Sequence, residues 1–371
     1  MQLSYWEIKS WFTNVDFTIV GSGVVGLNCA LNLRKRYPKS KILVLERGML
    51  PSGASTKNAG FACFGSVSEI LDDLQSHPEE EVLKLVIKRV DGLKLLRENL
   101  GDKNIDFQLN GGYELFRAED EKLFENGIKQ LNYINKILKP VFTDTVFKIR
   151  KHDFGFQNTN SQSIFTPFEG QIDTGKMMTA LVKKSVEKEI LILNGAAVAD
   201  FSEQKNYVNI QLANNIEFKS NKLIIATNGF ANEILNEDIK PARAQVIITK
   251  PIKKLKIKGN FHLDRGYNYF RNIDGRILVG GGRNLDFTGE ETIDQTITET
   301  IQAHLNALLS EVILPMTPFE IEKRWSGTMG VGPNKYPIVK QLSENVFCGI
   351  RMGGMGVAIG SIVGKDLAEL I

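Results

Sequence analysis

The sequence predicts an α/β protein with one mainly parallel sheet and one antiparallel sheet. The apolar run 17–20 has the character of a strand and leads through a glycine-rich turn into a helical pattern. The fully apolar run 222–226 is typical of a buried parallel strand. Further along the chain, the short runs 245–249, 267–271 and 276–280 predict antiparallel strands.

The turn after the first strand has the spacing G-x-G-x-x-G. Gly21 would form the tight turn, Gly23 would let a pyrophosphate approach the backbone, and Gly26 would let the helix lie close to the sheet. The next strand, 41–45, is followed by Glu46, whose carboxylate can accept the hydroxyls of an adenosine ribose. This order of elements predicts a dinucleotide site. A strand-to-helix turn without a ligand is the alternative.

Length and composition indicate two domains and no nucleic-acid partner. The chain has 371 residues, enough for a large core, and its net charge of +3 is spread along the sequence. Cys29, Cys63 and Cys348 show neither disulfide nor metal spacing, so we expect reduced thiols and no metal. A signal-peptide pattern is missing, and the apolar runs 17–33 and 352–364 fall short of a membrane span. We therefore expect a cytoplasmic protein with no transmembrane segment.

The longer helices are predicted from apolar residues at helical spacing. Ser76 and Glu79 would form a capping box in front of one of them. The segment 51–66, which precedes that helix, is rich in small and hydroxyl-bearing residues and would suit a backbone that passes close to a flat ligand. The predicted helices cover 24–37, 78–100, 120–138, 173–188 and 292–309.

Some local features have two interpretations. The lysine-rich run 253–258 is expected to be a solvated edge that resists strand pairing, with an anionic partner as the alternative. The aromatic segment 1–12 is expected to pack on the body, with a membrane-surface contact as the alternative. His152 and His304 are expected to be surface or flanking side chains rather than ligands.

A second glycine-rich turn lies near the end of the chain. The strand-like run 345–350 leads into Arg351, Gly353, Gly354 and Gly356 at the start of a final helix. Because the sequence shows no internal repeat, two such turns indicate one large ligand between them rather than duplicated domains.

In this order the motifs resemble the flavin-dependent amino acid and amine oxidoreductases of the D-amino acid oxidase type. That family includes glycine oxidase, sarcosine oxidase and D-amino acid dehydrogenase. The resemblance covers residues 16–371. It rests on the first glycine turn with Glu46, the loop 52–60, the segment 170–181, the turn 226–230, the strands 266–272 and 277–282, and the terminal segment 349–360.

The resemblance implies a Rossmann-like FAD-binding domain of the glutathione-reductase type, built from separate pieces, and an antiparallel-sheet substrate domain. The FAD is expected to be non-covalent, because the loop 52–60 lacks the histidine that links the flavin in some relatives. The expected pieces are 1–75, 160–240 and 325–371 for the FAD-binding domain, and 76–159 and 241–324 for the substrate domain.

The resemblance also implies which residues contact FAD. The loop 52–60 would run beneath the pyrophosphate and flavin, residues 197–198 would meet the adenine, and residues 353–357 would lie beside the flavin ring. The full set of expected contacts is Gly21, Ser22, Gly23, Val24, Val25, Gly26, Glu46, Arg47, Ala54, Ser55, Thr56, Lys57, Asn58, Ala59, Gly60, Ala197, Val198, Ala226, Thr227, Gly229, Arg351, Gly353, Gly354, Met355, Gly356 and Val357.

One position departs from the family pattern. Amino acid oxidases of this type usually follow a Trp-x-Gly motif with Arg-Pro, and that arginine binds the substrate carboxylate through two hydrogen bonds. Here the motif stands at 325–327, and Met329 takes the position of the arginine. A thioether cannot hold a carboxylate, so either the substrate lacks one there or another cation binds it. The candidates for substrate contact are Lys57, Tyr269, Arg271, Met329 and Arg351.

The family chemistry implies oxidation of a C–N bond of an amino acid or of a primary or secondary amine. The expected route is hydride transfer to flavin N5, with oxygen or another electron acceptor completing the cycle. Lys57 is a candidate for oxygen activation. The alternatives are an FAD-dependent 2-hydroxy acid dehydrogenase, an NAD-dependent enzyme and a non-catalytic flavoprotein module.

Overall fold

The computed structural model describes residues 2–371 and arranges them around two large β-sheets. The strands of the described residues are β1 (Val15–Val20), β2 (Ile42–Glu46), β3 (Phe61–Ala62), β4 (Gly112–Glu114), β5 (Lys148–Lys151), β6 (Gln162–Thr166), β7 (Gly170–Gln171), β8 (Leu191–Asn194), β9 (Val198–Gln204), β10 (Tyr207–Leu212), β11 (Glu217–Ile225), β12 (Lys240–Thr249), β13 (Asn260–Leu263), β14 (Asn268–Ile273), β15 (Arg276–Gly281), β16 (Ile321–Val331), β17 (Ile338–Gln341) and β18 (Val346–Ile350). The α-helices are α1 (Tyr5–Glu7), α2 (Val24–Arg36), α3 (Ala54–Lys57), α4 (Val67–Ser76), α5 (Glu79–Leu100), α6 (Asp102–Ile105), α7 (Glu121–Leu138), α8 (Thr174–Glu187), α9 (Glu299–Ala307) and α10 (Gly356–Glu369).

The first sheet is mainly parallel and has the order β17–β18–β11–β1–β2–β8. Strand β1 pairs in parallel with β2 and β11, and β11 pairs in parallel with β18. Strands β9 and β10 extend from β11 as an antiparallel meander, and β17 is an antiparallel edge. The carboxyl ends of β1, β2 and β11 therefore meet at one edge of the sheet, where α/β proteins bind ligands.

Helices α2 and α10 pack together on one face of this sheet. Two glycines of α10 allow the close approach, since a Cβ atom at Gly364 would lie 2.6 Å from the carbonyl oxygen of Val25. A Cβ atom at Gly360 would lie 2.5 Å from a methyl group of Val24. The contact brings the N-terminal glycine turn and the C-terminal glycine turn to the same place in the fold.

The second sheet has the order β16–β12–β15–β14–β13–β4–β6–β5 and is antiparallel except for the β13–β4 pair. Its outer face packs on α9 and the turn that follows it, with Ile301, Leu305 and Leu309 buried. The predicted combination of a parallel and an antiparallel sheet is confirmed. Strand β6 belongs to this second sheet, although it lies inside the segment 160–240 that was expected in the other domain. The proposed domain boundaries stay a prediction.

One predicted helix cap is wrong. Helix α5 begins at Glu79, within one residue of the predicted start, but Pro78 precedes it and no side chain caps it. A capping box lies further upstream, where Ser66 and Glu69 exchange hydrogen bonds at the start of α4. The spacing Ser-x-x-Glu occurs at both places, but Ser76 is the last residue of α4 and is not the residue that precedes α5.

The helix expected at 292–309 is also shorter than predicted. It begins at Glu299 and continues into a wider helical turn, 308–313. Ile293 and Ile297, whose spacing fits the predicted helix, lie before it and are 46% and 43% exposed. Gln245 explains this start, because its side chain accepts a hydrogen bond from the N–H of Thr298 at 3.0 Å and ends the preceding loop there.

The remaining secondary-structure predictions are close to the structure, with two strands longer than expected. Strand β11 begins at Glu217, before the predicted run 222–226, and the glycine-rich stretch after Arg324 continues strand β16. The lysine run 253–258 is a loop between β12 and β13. Its lysines are exposed to solvent as predicted, but the run is not the edge of a sheet.

The N-terminal segment packs on the body only in part. Phe12 is buried, whereas Tyr5 and Trp6 are 66% and 69% exposed. The three cysteines are buried and free, as predicted. Among residues 2–371, no helix is both long enough and apolar enough to cross a membrane.

Candidate functional site

A cavity of about 750 Å³ lies between the carboxyl edge of the parallel sheet and the antiparallel sheet. The parallel sheet contributes Gly21, Glu46 and Thr227 to its walls, each just after or at the end of a strand. The antiparallel sheet contributes residues of β12, β14, β15 and β16. A cavity of this size is typical of a cofactor or substrate site.

The first glycine turn has the close contacts that its spacing predicts. Gly21 has φ +106°, and a Cβ atom there would lie 2.7 Å from the carbonyl oxygen of Ala226. A Cβ atom at Gly26 would lie 2.0 Å from the carbonyl oxygen of Gly21. Gly23 has no side chain to cap α2, and the amide of Val24 donates to Ser55, so the next amides, those of Val25 and Gly26, can bind an anionic group.

Glu46 ends strand β2 and is buried on the cavity wall. Its Oε2 accepts hydrogen bonds from the hydroxyl of Ser22 at 2.7 Å and from the N–H of the same residue at 3.2 Å. Its Oε1 accepts from the N–H of Gly48 at 3.0 Å and from the hydroxyl of Ser52 at 2.9 Å. These donors hold the carboxylate in one orientation at the strand end.

The loop 54–60 contains the short helix α3 and lies along the cavity. Ser55 accepts a hydrogen bond from the N–H of Val24 at 3.0 Å, which ties the loop to the start of α2. The N–H of Gly60 donates to Oδ1 of Asn58 at 2.8 Å and fixes the end of the loop. The indole N–H of Trp325 donates to the carbonyl oxygen of Lys57 at 2.9 Å and joins the loop to the antiparallel sheet.

The second glycine turn forms the opposite part of the wall. Gly353 and Gly354 have φ +57° and +83°, conformations that favour glycine. The N–H of Gly353 donates to the carbonyl oxygen of Gly330 at 3.0 Å, and the N–H of Met352 donates to Oδ1 of Asn228 at 3.1 Å. The turn is thus held by β16 and by the end of β11.

Two hydroxyl groups at the cavity have no partner within the part of the chain that the structure describes. They are Oγ1 of Thr227 and Oγ1 of Thr328, and both atoms are buried. Both residues line the cavity. Because a buried hydroxyl without a hydrogen bond costs free energy, these atoms indicate that a polar ligand completes the site.

Most of the residues expected at the cofactor line this one cavity. Those that do not are Ser22, Gly26, Thr56, Gly229 and Arg351. Those that do are Gly21, Gly23, Val24, Val25, Glu46, Arg47, Ala54, Ser55, Lys57, Asn58, Ala59, Gly60, Ala197, Val198, Ala226, Thr227, Gly353, Gly354, Met355, Gly356 and Val357. Residues from the beginning, middle and end of the chain therefore meet at one place.

Arg271, a candidate for substrate contact, is buried away from the cavity lining. Its Nη2 donates to the carbonyl oxygen of Ile172 at 2.9 Å, and its Nε donates to the carbonyl oxygen of Ala59. Burial lowers the pKa of Arg271 to about 10, with Asp173 and other carboxylates opposing this effect. The guanidinium group thus supports the end of the loop 54–60 from behind.

Arg351, another candidate, has all three of its nitrogens committed to the protein. Nε donates to the carbonyl oxygen of Tyr336, Nη1 to the carbonyl oxygen of Asp238 and Nη2 to Oδ1 of Asn334, each at 2.9 Å. Asn334 lines the cavity, whereas Arg351 does not. Arg351 therefore orders the loop before β17.

Lys57, Tyr269 and Met329, the other candidates, do line the cavity. Nζ of Lys57 donates to Oε1 of Gln295 at 2.5 Å. Burial lowers the pKa of Lys57, and the positive charge of Arg47 lowers it further. Burial raises the pKa of Tyr269 to about 12, so its hydroxyl keeps its proton at neutral pH.

A buried ion pair, absent from the sequence-based predictions, also lies at the cavity wall. Nε2 of His262 lies 2.9 Å from Oε2 of Glu169. Burial alone would lower the pKa of His262, but the contact with Glu169 and the charges of Glu69 and Glu114 outweigh it and raise the pKa to about 9. The imidazole is therefore charged at neutral pH. The ring packs edge-on against Phe61.

Cys63 completes a group with this ion pair. The ligand atoms of Cys63, Glu169 and His262 all lie within 4.8 Å of one another, a donor set that could suit a metal ion. Burial and the charge of Glu169 raise the pKa of Cys63 well above its ordinary value. A protonated thiol is a weak ligand, so the cluster is best described as an ion pair beside a neutral thiol.

The sequence analysis did not identify several other residues of the cavity lining, although a local sequence pattern could have indicated two of them. Glu69 and Asp73 of α4 line the cavity, and the Ser-x-x-Glu spacing at 66–69 predicts the start of that helix. Arg265 and Arg283 line it as well. Nothing in their local sequence separates these two arginines from ordinary surface residues.

Together, the parallel sheet, the two glycine turns and the shared cavity define a dinucleotide-binding protein with room for a second ligand. Comparison with known proteins indicates the same class of protein. Residues 16–370 match the family model described as FAD dependent oxidoreductase (DAO). The chain belongs to this family and is an FAD-dependent oxidoreductase, as the sequence analysis predicted.

Several relatives share nearly the whole length of the chain. Gamma-glutamylputrescine oxidoreductase of Escherichia coli is 22% identical, over 96% of this chain and 83% of that protein. The crystal structure of L-proline dehydrogenase from P. horikoshii has a TM-score of 0.72 at 20% identity, over 96% of this chain and 93% of that one. Glycine oxidase from Geobacillus kaustophilus has a TM-score of 0.73 at 17% identity, over 95% and 94%.

The residues present fit FAD. The glycine turn leaves no room for a Cβ atom at Gly21 or Gly26, so the backbone is compact there. The start of α2 offers amides to a pyrophosphate, and Glu46 is oriented at the end of β2. The unpartnered hydroxyls of Thr227 and Thr328 offer further hydrogen bonds. These are properties of the chain itself and agree with the family's cofactor.

Proposed function

We propose that this chain oxidises the C–N bond of a small amino acid or of a primary or secondary amine. The proposal rests on one observation, which is that a single cavity is lined both by the two glycine turns and by the antiparallel sheet. A substrate bound between the two would lie against the cofactor. The relatives described above are named for an amino acid or an amine, which supports the same reaction class.

We further propose that FAD is bound without a covalent link, in an extended form between the two glycine turns. In this proposal the amides at the start of α2 bind the pyrophosphate, Glu46 binds the ribose, and residues 197–198 meet the adenine. The amides of 353–357 bind the flavin ring at the start of α10. When bound, FAD supplies the hydride acceptor that no amino acid side chain can provide.

The chain's own residues would then orient the substrate and keep water out. Tyr269 and Met329 line the cavity from the antiparallel sheet, and Phe61 and His262 line it nearby. A neutral amine carries the lone pair that drives loss of hydride from the adjacent carbon, so no dedicated base is needed. The proposed roles of the side chains are therefore to bind, to orient and to exclude water.

The electron acceptor is proposed to be oxygen or another small acceptor. Lys57 is a cation on the loop 54–60 whose pKa is lowered by burial and by Arg47. A positive charge near the flavin favours the formation of reduced oxygen species, and this makes Lys57 our candidate for that step. Replacing Lys57 with methionine should slow reoxidation by oxygen while leaving anaerobic reduction by substrate unchanged.

The proposal is tested on the purified chain by its flavin absorbance. We expect a yellow protein whose absorbance near the flavin maximum bleaches anaerobically with at least one amino acid or amine. The panel should contain 2-hydroxy acids as well, because bleaching by these alone would indicate C–O oxidation instead. A bound FAD that no member of either class reduces would indicate a non-catalytic flavoprotein.

A further inference from the structure

The cavity is lined by several basic side chains, and most of them already have a partner. Lys57 donates to Gln295, and His77 lies 2.9 Å from the hydroxyl of Ser76. The remaining pairs are Arg47 with Glu233 at 3.0 Å, Lys335 with Asp73 at 2.6 Å and His262 with Glu169 at 2.9 Å.

Arg283 and Arg265 are different. The side chain of neither residue makes a hydrogen bond or an ion pair with any residue in the range 2–371, although both line the cavity. Arg265 is exposed, so water satisfies its donors. Arg283 is half-buried, and its guanidinium group lies over the ring of Phe287, 4.8 Å from the centroid.

The carboxylates near Arg283 are already engaged elsewhere. Burial lowers the pKa of Arg283, while Glu290 and Glu291 act in the opposite direction. Glu290 is buried in an ion pair with Arg243 at 2.8 Å, and Glu291 pairs with Lys240 at 3.0 Å. The guanidinium group of Arg283 is thus half-buried at the cavity, and its donors remain available to an anionic group.

The backbone sets the position of Arg283 tightly. Strand β15 ends in Gly281 and Gly282, with φ +119° and +78°. A Cβ atom at Gly281 would lie 2.0 Å from the carbonyl oxygen of Tyr267, and the N–H of Gly282 donates to that same oxygen at 3.0 Å. These contacts bend the chain sharply, and Arg283 is the first side chain after the bend.

The same cavity contains Met329, which the family resemblance assigns to the position where amino acid oxidases of this type usually have a carboxylate-binding arginine. Met329 lies on β16 and Arg283 follows β15, and both strands pair with β12. We propose that Arg283 binds the carboxylate of the substrate in place of the arginine that Met329 replaces. The inference rests on the proposed function and narrows its substrate class to amines that carry a carboxylate.

The test uses the FAD-loaded wild-type protein and the variants Arg283→Met and Arg265→Met. Each is titrated with acetate, benzoate and anthranilate, and with the matching neutral amides, while the flavin spectrum is recorded. Arg265→Met is the matched control, because it removes an unpartnered guanidinium group that is exposed. FAD content and melting temperature show whether each variant is folded, and Arg283→Lys replaces Arg283→Met if the latter does not hold FAD.

We expect the wild type to bind the carboxylates saturably and the amides more weakly. Arg283→Met should weaken carboxylate binding by about 10- to 100-fold, the range of two charge-assisted hydrogen bonds, and leave amide binding unchanged. Arg265→Met should change carboxylate binding by less than about 3-fold. Among substrates, the variant should lose activity on an amino acid more than on its decarboxylated amine.

Carboxylate binding that is absent in the wild type, or that survives in Arg283→Met, would overturn this inference. So would an equal loss in both methionine variants. In each of these cases the proposed function would still stand, provided that the protein binds FAD and amines reduce it. A protein that no amine or amino acid reduces would refute the proposed function instead, whatever the titrations show.

Discussion

Nε2 of His262 lies 2.9 Å from Oε2 of Glu169, and both side chains are buried. The pair links strand β13 to the residue just before β7, and it stands at the wall of the cavity. Glu114, which is opposite His262 in the β4–β13 register, adds a second buried carboxyl group. A charged imidazole in this setting makes the stability of the protein depend on pH.

We predict that the stabilisation from this pair is lost as the pH rises through about 9. The pKa of His262 is about 9 in the folded chain and 6.5 as its ordinary value, so the folded state binds the proton more tightly. The contribution is then complete below about pH 6.5 and disappears above about pH 9, with an upper limit of about 3 kcal/mol. Melting temperatures of the wild type and His262→Gln from pH 6 to pH 10 measure it.

The control for this experiment is His152→Gln, because burial lowers rather than raises the pKa of His152. The gap in melting temperature between wild type and His262→Gln should narrow with rising pH. A gap that stays constant over this range would contradict a protonated His262. His152→Gln should show no narrowing in the same window.

A second prediction concerns Arg271. Arg271→Met should destabilise the fold by about 3 kcal/mol, since it leaves the carbonyl oxygens of Ala59 and Ile172 without their charged donor in a buried place. It should also weaken FAD binding, because Ala59 belongs to the loop along the cavity. Urea unfolding and FAD titration of the apoprotein check the two effects.

The matched control is Arg276→Met, five residues further along the chain. Arg276 pairs with Glu322 at a solvent-accessible position, where ion pairs contribute little, so Arg276→Met should lower the free energy of unfolding much less than Arg271→Met. Equal unfolding free energies for the two variants would show that Arg271 is not a structural support.

A third prediction concerns the first glycine turn. Gly26→Ala would place a Cβ atom 2.0 Å from the carbonyl oxygen of Gly21, so helix α2 must move away from the turn. We expect FAD binding to fall by more than about 10-fold, because such overpacking costs about 1–3 kcal/mol. The ratio of flavin to protein absorbance after purification gives the first measurement.

Gly175→Ala is the control, because Gly175 lies in α8 outside the cavity lining and the atom nearest to an added Cβ there is a side-chain oxygen of Asp173 at 3.3 Å. It should retain FAD and the melting temperature of the wild type. If Gly26→Ala retained full FAD binding, the assignment of the pyrophosphate site to the first turn would fail.

A fourth prediction concerns the carboxylate of Glu46. Glu46→Gln removes the charge at the proposed ribose contact and should weaken FAD binding by about 10- to 100-fold. Glu233→Gln is the control, because Glu233 also lines the cavity but forms an exposed ion pair with Arg47 at 3.0 Å. Isothermal titration of each apoprotein with FAD measures the two affinities. Equal affinities of Glu46→Gln and Glu233→Gln for FAD would contradict the ribose contact.

The sequence predicted those parts of the fold that depend on local pattern. The apolar strands, the helix from Val24 and the two glycine turns follow from spacing that a single stretch of chain contains. It failed at the start of α5, where the predicted capping box of Ser76 and Glu79 does not form because Ser76 is the last residue of α4. It failed again at 292–298, because the side chain of Gln245, far away in sequence, ends the loop at Thr298.

At the site, the sequence by itself predicted where the cofactor would bind, since glycines at this spacing and a strand-end carboxylate indicate a close approach of a ligand to the backbone. Only the tertiary structure decided what the charged side chains do. Arg271 and Arg351 face backbone carbonyls, His262 meets Glu169 across 93 residues, and Arg283 is left half-buried without a partner. A long charged side chain has no local signature, because its role depends on which distant groups the fold brings within hydrogen-bond distance.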